Sequence, residues 1–379
     1  MKHTILLLIL LISCSPKEDK EQLFQIRTFA PKDITLADSI DYQFIPLETK
    51  DECLIGLAGD VQIINNKIFI LEGKKNENLF VFDMNGRFIT NVGHKGNGPG
   101  GYNRIFSFDI DVEDRSIIIS DKYVNKLLFY DLDSFRFKYA IETPFYYNAF
   151  SHLQHGNKIF MGYKGFENPN NTNGKDSYYV CITDSLLNPE TALYKASFTT
   201  SYSLTGGKSN LYTYDGDIHI YHHLFPYVYR VKNNTLVPVY EIKLDDYPFP
   251  PIHFLEKIAG TDTDYTGILT KSEYITNYRI DECSTMINLS FQKNNQMYYA
   301  IYNKKAEKGY IFNLAEYFST MGLGVWLKPR SANDEYIIGE LNFDENSSKY
   351  VTKNKQLKEL VTNRSAEDNP VICLYKWKH

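Results

Sequence analysis

The chain has 379 residues, of which 41 are basic and 46 are acidic, giving a formal net charge of −5. This balance, without any basic tract, leaves little positive charge to neutralise phosphates, so the composition excludes nucleic acid as an expected partner. Aromatic residues make up 15% of the chain, including 30 tyrosines and 24 phenylalanines, and this enrichment favours strands over helices.

Residues 1–13 have the pattern of a secretory signal. Lys2 precedes eight consecutive aliphatic residues at positions 5–12, which is the order of a basic start and a short apolar core. Eight residues span only about 12 Å as a helix, against roughly 30 Å of bilayer hydrocarbon, so this run does not cross a membrane. The following Leu11-Ile12-Ser13-Cys14 resembles the bacterial lipobox, in which the cysteine is acylated and becomes the mature N-terminus. We therefore predict a signal peptide over 1–13 and lipidation of Cys14, the alternative being a chance cysteine after an ordinary secretory leader.

The next segment is polar and highly charged. Residues 15–21 cannot bury apolar surface, so we predict a disordered, lipidated tether over 14–25 that attaches the rest of the chain to a membrane. Lys17-Glu18-Asp19 also resembles the export tag of Bacteroidetes lipoproteins, which implies an outer-membrane lipoprotein exposed at the cell surface. A plain solvated linker facing the periplasm is the alternative.

The main body of the chain repeats a pattern of four short apolar strands. In the first unit these runs occupy 60–63, 68–71, 79–83 and 88–92, and in the second they occupy 108–111, 117–120, 127–131 and 137–141. Asp83 and Asp131 end corresponding strands 48 residues apart, and Asp184 ends another such strand 53 residues later. Four strands per unit, separated by turn residues, indicate repeated blades of antiparallel sheet.

Later units are more divergent but keep strand pairs, at 218–221 with 228–231, 297–300 with 310–312, and 336–339 with 371–375. The unpaired run 42–47 completes the last unit if both ends of the chain join one sheet, which removes exposed strand edges. Two stretches, 253–275 and 351–363, have helical patterns and are interpreted as insertions, with a separate α/β domain as the alternative. We thus predict an all-β fold over 26–379. It is a six-bladed β-propeller with four-stranded antiparallel blades, closed by its N- and C-terminal strands and carrying small helical insertions.

The glycine-rich loop 93–102 carries a family resemblance. Its sequence, Gly-His-Lys-Gly-Asn-Gly-Pro-Gly-Gly-Tyr, resembles the Gly-x-Gly-Pro-Gly-Glu-Tyr signature of the six-bladed, NHL-like propeller lipoproteins of Bacteroidetes, and residues 369–375 are similar to their C-terminal end. The resemblance covers the mature chain, most clearly over 40–142, and many members of that family have no assigned function. Gly101 departs from it, because the family often has an acid there. We interpret the glycines as permitting positive φ in a tight interblade turn, since no helix follows to bind a phosphate.

Propeller geometry predicts one face for ligand binding. The loops between blades and the loops between second and third strands open on the same face, where the channel of many propellers meets a ligand, by fold-level analogy. That face would be aromatic with mixed charge, which suits sugar rings or peptide side chains, although a chain so rich in tyrosine looks aromatic in any loop set. The candidate ligand-binding residues are His94, Lys95, Tyr102, Arg104, Asp121, Lys122, Tyr123, Tyr163, His222, Phe225 and Tyr227.

The sequence contains no recognisable catalytic, metal or cofactor motif. Neither Gly-x-Ser-x-Gly nor His-Glu-x-x-His is present, the histidines at 219, 222 and 223 lack an acidic partner that would complete a zinc motif, and the asparagine-rich loop 168–176 fits calcium poorly. We therefore predict no cofactor, no metal and no catalytic residue. The cysteines beyond the lipobox lack a Cys-x-x-Cys pair and are interpreted as buried free thiols, with disulfides as the alternative: Cys53, Cys181, Cys283 and Cys373.

The leading functional prediction is a non-catalytic, membrane-anchored propeller that binds a glycan, a peptide or an envelope protein. A hydrolase or lyase acting on polysaccharide or peptide is the alternative, because propeller enzymes gather catalytic residues from separate blades and need no local motif. A structural subunit of an envelope complex is a third possibility.

Overall fold

A computed structural model of the protein describes residues 24–29, 36–73, 78–170, 176–198, 210–259, 265–343, 352 and 354–378. The predicted signal peptide, Cys14 and residues 15–23 of the predicted tether lie outside these ranges. Within them, six four-stranded antiparallel blades form a ring. The predicted fold is therefore confirmed.

In blades 1 to 3 the four strands follow one another along the chain, and the first of them is the inner strand beside the ring axis. Their bounds are Ala58–Ile64, Lys67–Glu72, Leu79–Asp83 and Phe88–Asn91 in blade 1, Ser107–Asp111, Ser116–Asp121, Lys126–Asp131 and Phe137–Glu142 in blade 2, and Ala149–His152, Lys158–Glu167, Ser177–Thr183 and Pro189–Lys195 in blade 3.

Blades 4 and 5 keep this order, and blade 6 takes its outer strand from the N-terminal part of the chain. The bounds are Leu211–Tyr214, Asp217–Tyr221, Tyr227–Lys232 and Thr235–Leu244 in blade 4, Asn277–Glu282, Met286–Lys293, Gln296–Asn303 and Lys308–Asn313 in blade 5, and Leu327–Ala332, Ile337–Leu341, Val371–Trp377 and Ile40–Pro46 in blade 6.

The ring closes by pairing the two ends of the chain. Tyr42 pairs with Tyr375 and Pro46 with Val371, in an antiparallel register without a bulge. The inner strand of blade 6 also contacts the inner strand of blade 1. Closure therefore leaves no open end in the ring, as the sequence predicted.

A further strand, Phe24–Phe29, lies between two blades. It runs parallel to the outer strand of blade 4 and to the outer strand of blade 5, pairing Phe24 with Tyr240 and Thr28 with Gly309. Phe24 and Gln25 belong to this strand and not, as had been predicted, to the tether. Pairing with two outer strands orders this strand, and composition alone does not show such pairing. The strand covers two sheet edges that would otherwise be exposed.

Six apolar clusters hold the ring together, one at each junction between neighbouring blades. The second strand of blade 1 shows why its apolar run is continuous. Ile68 and Ile70 pack toward blade 6, whereas Phe69 and Leu71 pack toward blade 2. Because side chains alternate between the two faces of a strand, a blade with a neighbour on each side needs apolar residues at every position.

Four short α-helices lie outside the blades among the described residues. Helices α1 (Ile252–Ala259) and α2 (Tyr265–Thr270) lie between blades 4 and 5, α3 (Leu314–Met321) lies between blades 5 and 6, and α4 (Lys355–Asn363) precedes the third strand of blade 6. Their positions confirm the two predicted insertions and add α3. No helix in the described ranges is long and apolar enough to cross a membrane.

The four cysteines predicted as buried free thiols are all buried and unpaired in the structure. Two 3₁₀ turns, Asp51–Cys53 and Gln154–Gly156, and a small parallel ribbon of His94–Lys95 with Gly101–Tyr102 complete the described elements.

Candidate functional site

The loops predicted to share one face do so. We call this end of the ring the upper face, defined by the loop 92–106 between blades 1 and 2, the turn 122–125 of blade 2 and the loop 143–148 between blades 2 and 3. Each inner strand begins at this face, because the strands of a blade alternate in direction.

Five of the predicted ligand-binding residues are accessible at or near this face. Their side chains are exposed, with exposed fractions of 66% for Tyr123 and 38% for Tyr227, and the others are His94, Lys95 and Arg104. Lys122 and Phe225 are half-buried. Tyr163 lies in the second strand of blade 3, and its side chain is outside the described atoms.

Two of the predicted residues are buried and shape the loops from below. The Tyr102 hydroxyl donates to the Val92 carbonyl at 3.3 Å. The Asp121 carboxylate accepts the backbone N–H groups of Asn103, at 2.6 Å, and Tyr123, at 3.1 Å. These two side chains position the loop 92–106 and the turn 122–125 and do not reach solvent.

His222 is also buried rather than presented to a ligand. Its ring stacks on His223, with centroids 4.7 Å apart, and on Phe225, at 4.5 Å, and packs against Tyr179. Burial holds the pKa of His222 well below its ordinary value and lowers that of His223 to about 3. Both imidazoles are therefore neutral parts of the packing between blades 3 and 4.

The glycine-rich loop adopts the predicted backbone. Gly93 and Gly100 have φ of 68° and 73°, a region that favours glycine. A Cβ on Gly101 would lie 2.8 Å from the Gly96 carbonyl carbon and 3.1 Å from the Gly98 oxygen. The loop is thus packed too closely at this position for the acidic side chain that the resembling family often carries.

The exposed part of the upper face concentrates aromatic rings and cations over blades 2 and 3. Its members share one surface, which we call the aromatic–cation patch: Arg104, Phe106, Lys122, Tyr123, Tyr146 and Lys164. Arg104 donates from Nη1 to the Tyr123 hydroxyl at 3.1 Å, and its guanidinium lies 5.8 Å from the Tyr123 ring centroid. The Tyr146 side chain is 48% exposed, so both tyrosines offer ring surface to solvent.

Lys122 occupies the centre of this patch. Its Nζ lies 3.8 Å from the Phe106 ring centroid and 4.3 Å from that of Tyr146, within the range of cation–π attraction. Lys164 approaches the same Tyr146 ring at 5.0 Å. Burial lowers the pKa of Lys122 to about 8, and the positive charge of Lys164 adds to that decrease.

A cavity of about 590 Å³ lies beside the patch, along the axis of the ring. All six blades line it, and Phe106 belongs both to its wall and to the patch under Lys122. Its volume is in the range of small-molecule sites in proteins. The patch therefore borders a cavity large enough for part of a ligand.

Polar groups in the cavity wall join neighbouring blades. Ser151 and the His152 backbone N–H each donate to Asp109 Oδ2, at 2.7 and 2.8 Å, and the His152 Nδ1 lies 2.9 Å from the same oxygen, which links blades 2 and 3. Gln62 reaches the Phe108 carbonyl of blade 2 from blade 1, at 3.3 Å. These groups belong to inner strands, and they were not among the residues predicted to bind a ligand.

The opposite wall carries two arginines. Arg279 Nε and Nη2 each lie 3.0 Å from Asp281 Oδ1, and Nη2 also donates to the Arg330 carbonyl, which joins blades 5 and 6. Arg330 Nε donates to Glu340 Oε2 at 2.8 Å, while its buried Nη2 has no hydrogen-bond partner among the described residues. Burial raises the pKa of the Asp281 carboxyl, and Arg279 opposes that rise.

Asp109 and Asp281, in the two walls of the cavity, therefore each have a partner within the protein. The described residues contain no group of three His, Cys, Asp or Glu side chains suited to a metal ion. Among the polar groups of the cavity, the Asp109–His152 pair is the one suited to acid–base chemistry. A carboxylate that hydrogen-bonds one imidazole nitrogen orients the ring, and the ring is 29% exposed at the cavity.

The comparisons with known proteins agree with this architecture. A family model described as a 6-bladed beta-propeller (DUF5128) matches residues 15–340. A solved Bacteroides fragilis structure, of a protein described as exported, superposes with a TM-score of 0.83 at 25% identity, covering 94% of this chain and 100% of that chain. A DUF4221 family member from Bacteroides vulgatus shares only the fold, with a TM-score of 0.56 at 10% identity over 90% of this chain and 99% of that one. No curated protein matches the chain.

The matched residues include all of blades 1 to 5 and three strands of blade 6, namely Ile40–Pro46, Leu327–Ala332 and nearly all of Ile337–Leu341. The chain therefore belongs to the 6-bladed β-propeller family DUF5128.

Proposed function

We propose that the protein is a membrane-anchored, extracytoplasmic propeller that binds a ligand at the aromatic–cation patch and does not transform it. The observation that carries this proposal is the exposure of Tyr123 and Tyr146 between three cations, at the border of the axial cavity. A rigid ring with a ligand surface on its loops suits a receptor or adhesin role. Among a glycan, a peptide and an envelope protein, exposed flat rings beside hydrogen-bond donors best suit a glycan.

The proposed location rests on the signal peptide over 1–13 and the lipobox ending at Cys14, and it is supported by the Bacteroides fragilis relative that is described as exported. The charged tether after Cys14 favours the outer face of the outer membrane over the periplasmic side. Such an anchor would hold the propeller at the membrane while leaving the upper face free for a ligand.

Replacing Cys14 tests the anchor. In Cys14→Ser we expect loss of fatty-acid labelling and release of the protein from the membrane fraction, because serine offers no thiol for acylation. Ser15→Ala is the matched control and should stay labelled and membrane-bound. A Cys14→Ser protein that remains labelled would show that the anchor lies elsewhere, and protease treatment of intact cells distinguishes surface from periplasmic exposure.

Replacing the exposed tyrosines tests the ligand surface. A screen of the full-length protein against glycans and peptides identifies a ligand, and we then expect Tyr123→Ala and Tyr146→Ala each to weaken binding about threefold to tenfold, since a lost stacking contact costs about 0.5–1.5 kcal/mol. Leu186→Ala is the control, because Leu186 is exposed in a turn at the opposite end of blade 3. Unchanged affinity in both tyrosine variants would reject this surface.

A second function is favoured by one observation, the Asp109–His152 pair in the cavity wall. An imidazole oriented by a carboxylate can act as a general base in a hydrolase or lyase. Mass spectrometry of the bound glycan after incubation decides between the two functions. Turnover that is lost in His152→Gln, while binding persists, would support the enzyme, whereas an unaltered ligand supports the binding protein.

A further inference from the structure

The charge of the aromatic–cation patch differs from that of the whole chain. The chain has a formal net charge of −5, yet the patch gathers three cations, Arg104, Lys122 and Lys164, around two exposed tyrosines. In the described part of the chain, none of the three forms an ion pair with a carboxylate, and their recorded contacts are to aromatic rings and a hydroxyl. The residue that precedes Lys122, Asp121, is buried, and its oxygens accept backbone N–H groups.

Lys122 is held in an unfavourable state without an anion. Its ammonium is half-buried among the rings of Phe106, Tyr146 and Tyr147, which desolvates it. Lys164 approaches the same Tyr146 ring, and its positive charge repels Lys122. An anion placed between the two ammonium groups would relieve both effects, because a nearby opposite charge stabilises the charged form of a desolvated lysine.

The exposed rings indicate what should carry that anion. The partly positive C–H bonds on the face of a sugar ring complement the negative face of an aromatic ring. Tyr123 and Tyr146 expose aromatic ring surface close to the two lysines. Sugar hydroxyls can also accept from Arg104 and Lys164, whose side chains are exposed. A saccharide with an anionic substituent can therefore bind both the aromatic rings and the cations of the patch.

We infer that the aromatic–cation patch recognises an acidic saccharide, whose rings stack on Tyr123 and Tyr146 and whose carboxylate or sulfate lies between Lys122 and Lys164. This inference rests on the proposed function and names its ligand class. It places the sugar chain across blades 2 and 3, with Phe106 connecting the site to the axial cavity.

Binding should also depend on pH in a way that Lys122 determines. With a pKa of about 8 in the free protein, Lys122 loses its charge as the pH rises, whereas a bound anion would keep it protonated. Affinity should therefore fall about twofold to fivefold between about pH 7 and about pH 9, because the charge of Lys122 supplies only part of the binding free energy. The other titratable groups facing Lys122 are Lys164, Tyr146 and Tyr147. Lys122→Arg separates the contribution of Lys122 from theirs, because arginine stays charged over this pH range.

The test measures binding of the full-length protein to three tetrasaccharides by calorimetry. Tetragalacturonate supplies carboxylates, its methyl ester is the neutral counterpart, and a sulfated carrageenan tetrasaccharide supplies sulfates. We expect the ester to bind at least about tenfold more weakly than the acid, since each lost charge-assisted contact is worth a factor of about three to ten. Comparison of the two acidic probes identifies which anion the patch prefers.

Variants then locate the anion. Lys122→Gln and Lys164→Gln should each weaken binding of the preferred acidic probe about threefold to tenfold, and Lys122→Arg should retain affinity but lose most of the pH dependence. Lys138→Gln is the control, because Lys138 binds Ser116 and Asp114 at the lower end of blade 2. Thermal unfolding of each variant confirms that it is folded.

Three results would overturn the inference. Equal binding of the ester and the acid would remove the anion from recognition while leaving the proposed ligand surface in place. Binding of acidic probes that is unaffected by Lys122→Gln and Lys164→Gln would place the anion elsewhere. Failure of both acidic probes to bind, while a neutral glycan binds in a Tyr146-dependent manner, would likewise reject the acidic class without rejecting the function.

Discussion

Glu282→Ala is expected to destabilise the propeller by about 3–5 kcal/mol, the cost of removing one partner from a buried ion pair. Glu282 ends the inner strand of blade 5 and is fully buried. Its Oε1 lies 2.5 Å from the Lys304 ammonium and accepts from the Tyr240 hydroxyl at 2.6 Å, and its Oε2 accepts from the Tyr212 hydroxyl at 2.8 Å. The two tyrosines belong to blade 4, so one carboxylate joins two blades and neutralises a cation.

The destabilisation arises from what remains after the carboxylate is removed. Lys304 is only 20% exposed, and the hydroxyls of the half-buried Tyr212 and Tyr240 lose an acceptor. Three polar groups therefore each lose one partner in a region with limited access to water. Glu282→Gln should fall between wild type and alanine, because an amide oxygen still accepts from a tyrosine but does not neutralise Lys304.

Urea unfolding followed by tryptophan fluorescence measures this effect. Glu190→Ala is the matched control, because Glu190 is an exposed residue of the outer strand of blade 3, and we expect it to change the free energy of unfolding by less than about 0.5 kcal/mol. A Glu282→Ala protein within about 1 kcal/mol of wild type would mean that the carboxylate does not hold blades 4 and 5 together.

The blades could be predicted from the sequence because the apolar pattern of each strand reflects which of its side chains are buried. Ile68, Phe69, Ile70 and Leu71 form an unbroken apolar run, since alternate residues pack on different neighbouring blades. The closing strand could be predicted for the same reason, as Tyr42 to Leu47 had no other partner. Local pattern and burial coincide in these elements, and this is the condition under which sequence reasoning succeeds.

Elements without a local signal were missed. The strand Phe24–Phe29 pairs in parallel with two outer strands more than 200 residues away in sequence, and no periodicity reveals such a partner. Helix α3 did carry a signal that was overlooked. Asn313 and Glu316 form a capping box, with the Asn313 side chain accepting from the Glu316 N–H and Glu316 accepting from the Asn313 N–H, a pattern readable from their spacing.

The candidate site shows a different limit. Loop position predicted that Arg104, Lys122 and Tyr123 share a face, but it did not distinguish them from the buried Tyr102 and Asp121 of the same loops. Direction of a side chain depends on φ, ψ and packing, which a single sequence does not contain. The cavity wall was missed because Asp109 stands in an ordinary strand run and acquires its partner His152, 43 residues away in sequence, only when blades 2 and 3 pack together.

Acidification should destabilise the protein strongly, because three histidines are buried in neutral form. Burial lowers the pKa of His219, holds that of His222 well below its ordinary value with a contribution from His223, and lowers that of His223 to about 3. Unfolding restores each pKa to about 6.5, so the unfolded chain binds more protons and stability falls as the pH drops.

The expected loss of stability on acidification can be calculated from the lowered pKa of His223. Its contribution is fully present above about pH 6.5 and declines by about 1.4 kcal/mol per pH unit down to about pH 3, so lowering the pH to about 5 should remove about 2 kcal/mol through this residue alone. His222 adds to this loss because burial also holds its pKa well below its ordinary value. His219 adds to it as well, although Glu282 and Asp217 oppose the lowering of its pKa.

The free energy of unfolding in urea, measured between about pH 7 and about pH 5, reports mainly on the histidines, because ordinary carboxylates titrate mainly below that range. We expect unfolding to take up protons near the acid end of this window, and His223→Gln to reduce that uptake by about one. His253→Gln is the control, since His253 is exposed on α1 and its loss should leave the slope unchanged. A stability that stays constant over this window would require these imidazoles to be protonated inside the fold, which the apolar packing of His222 between Tyr179 and Phe225 opposes.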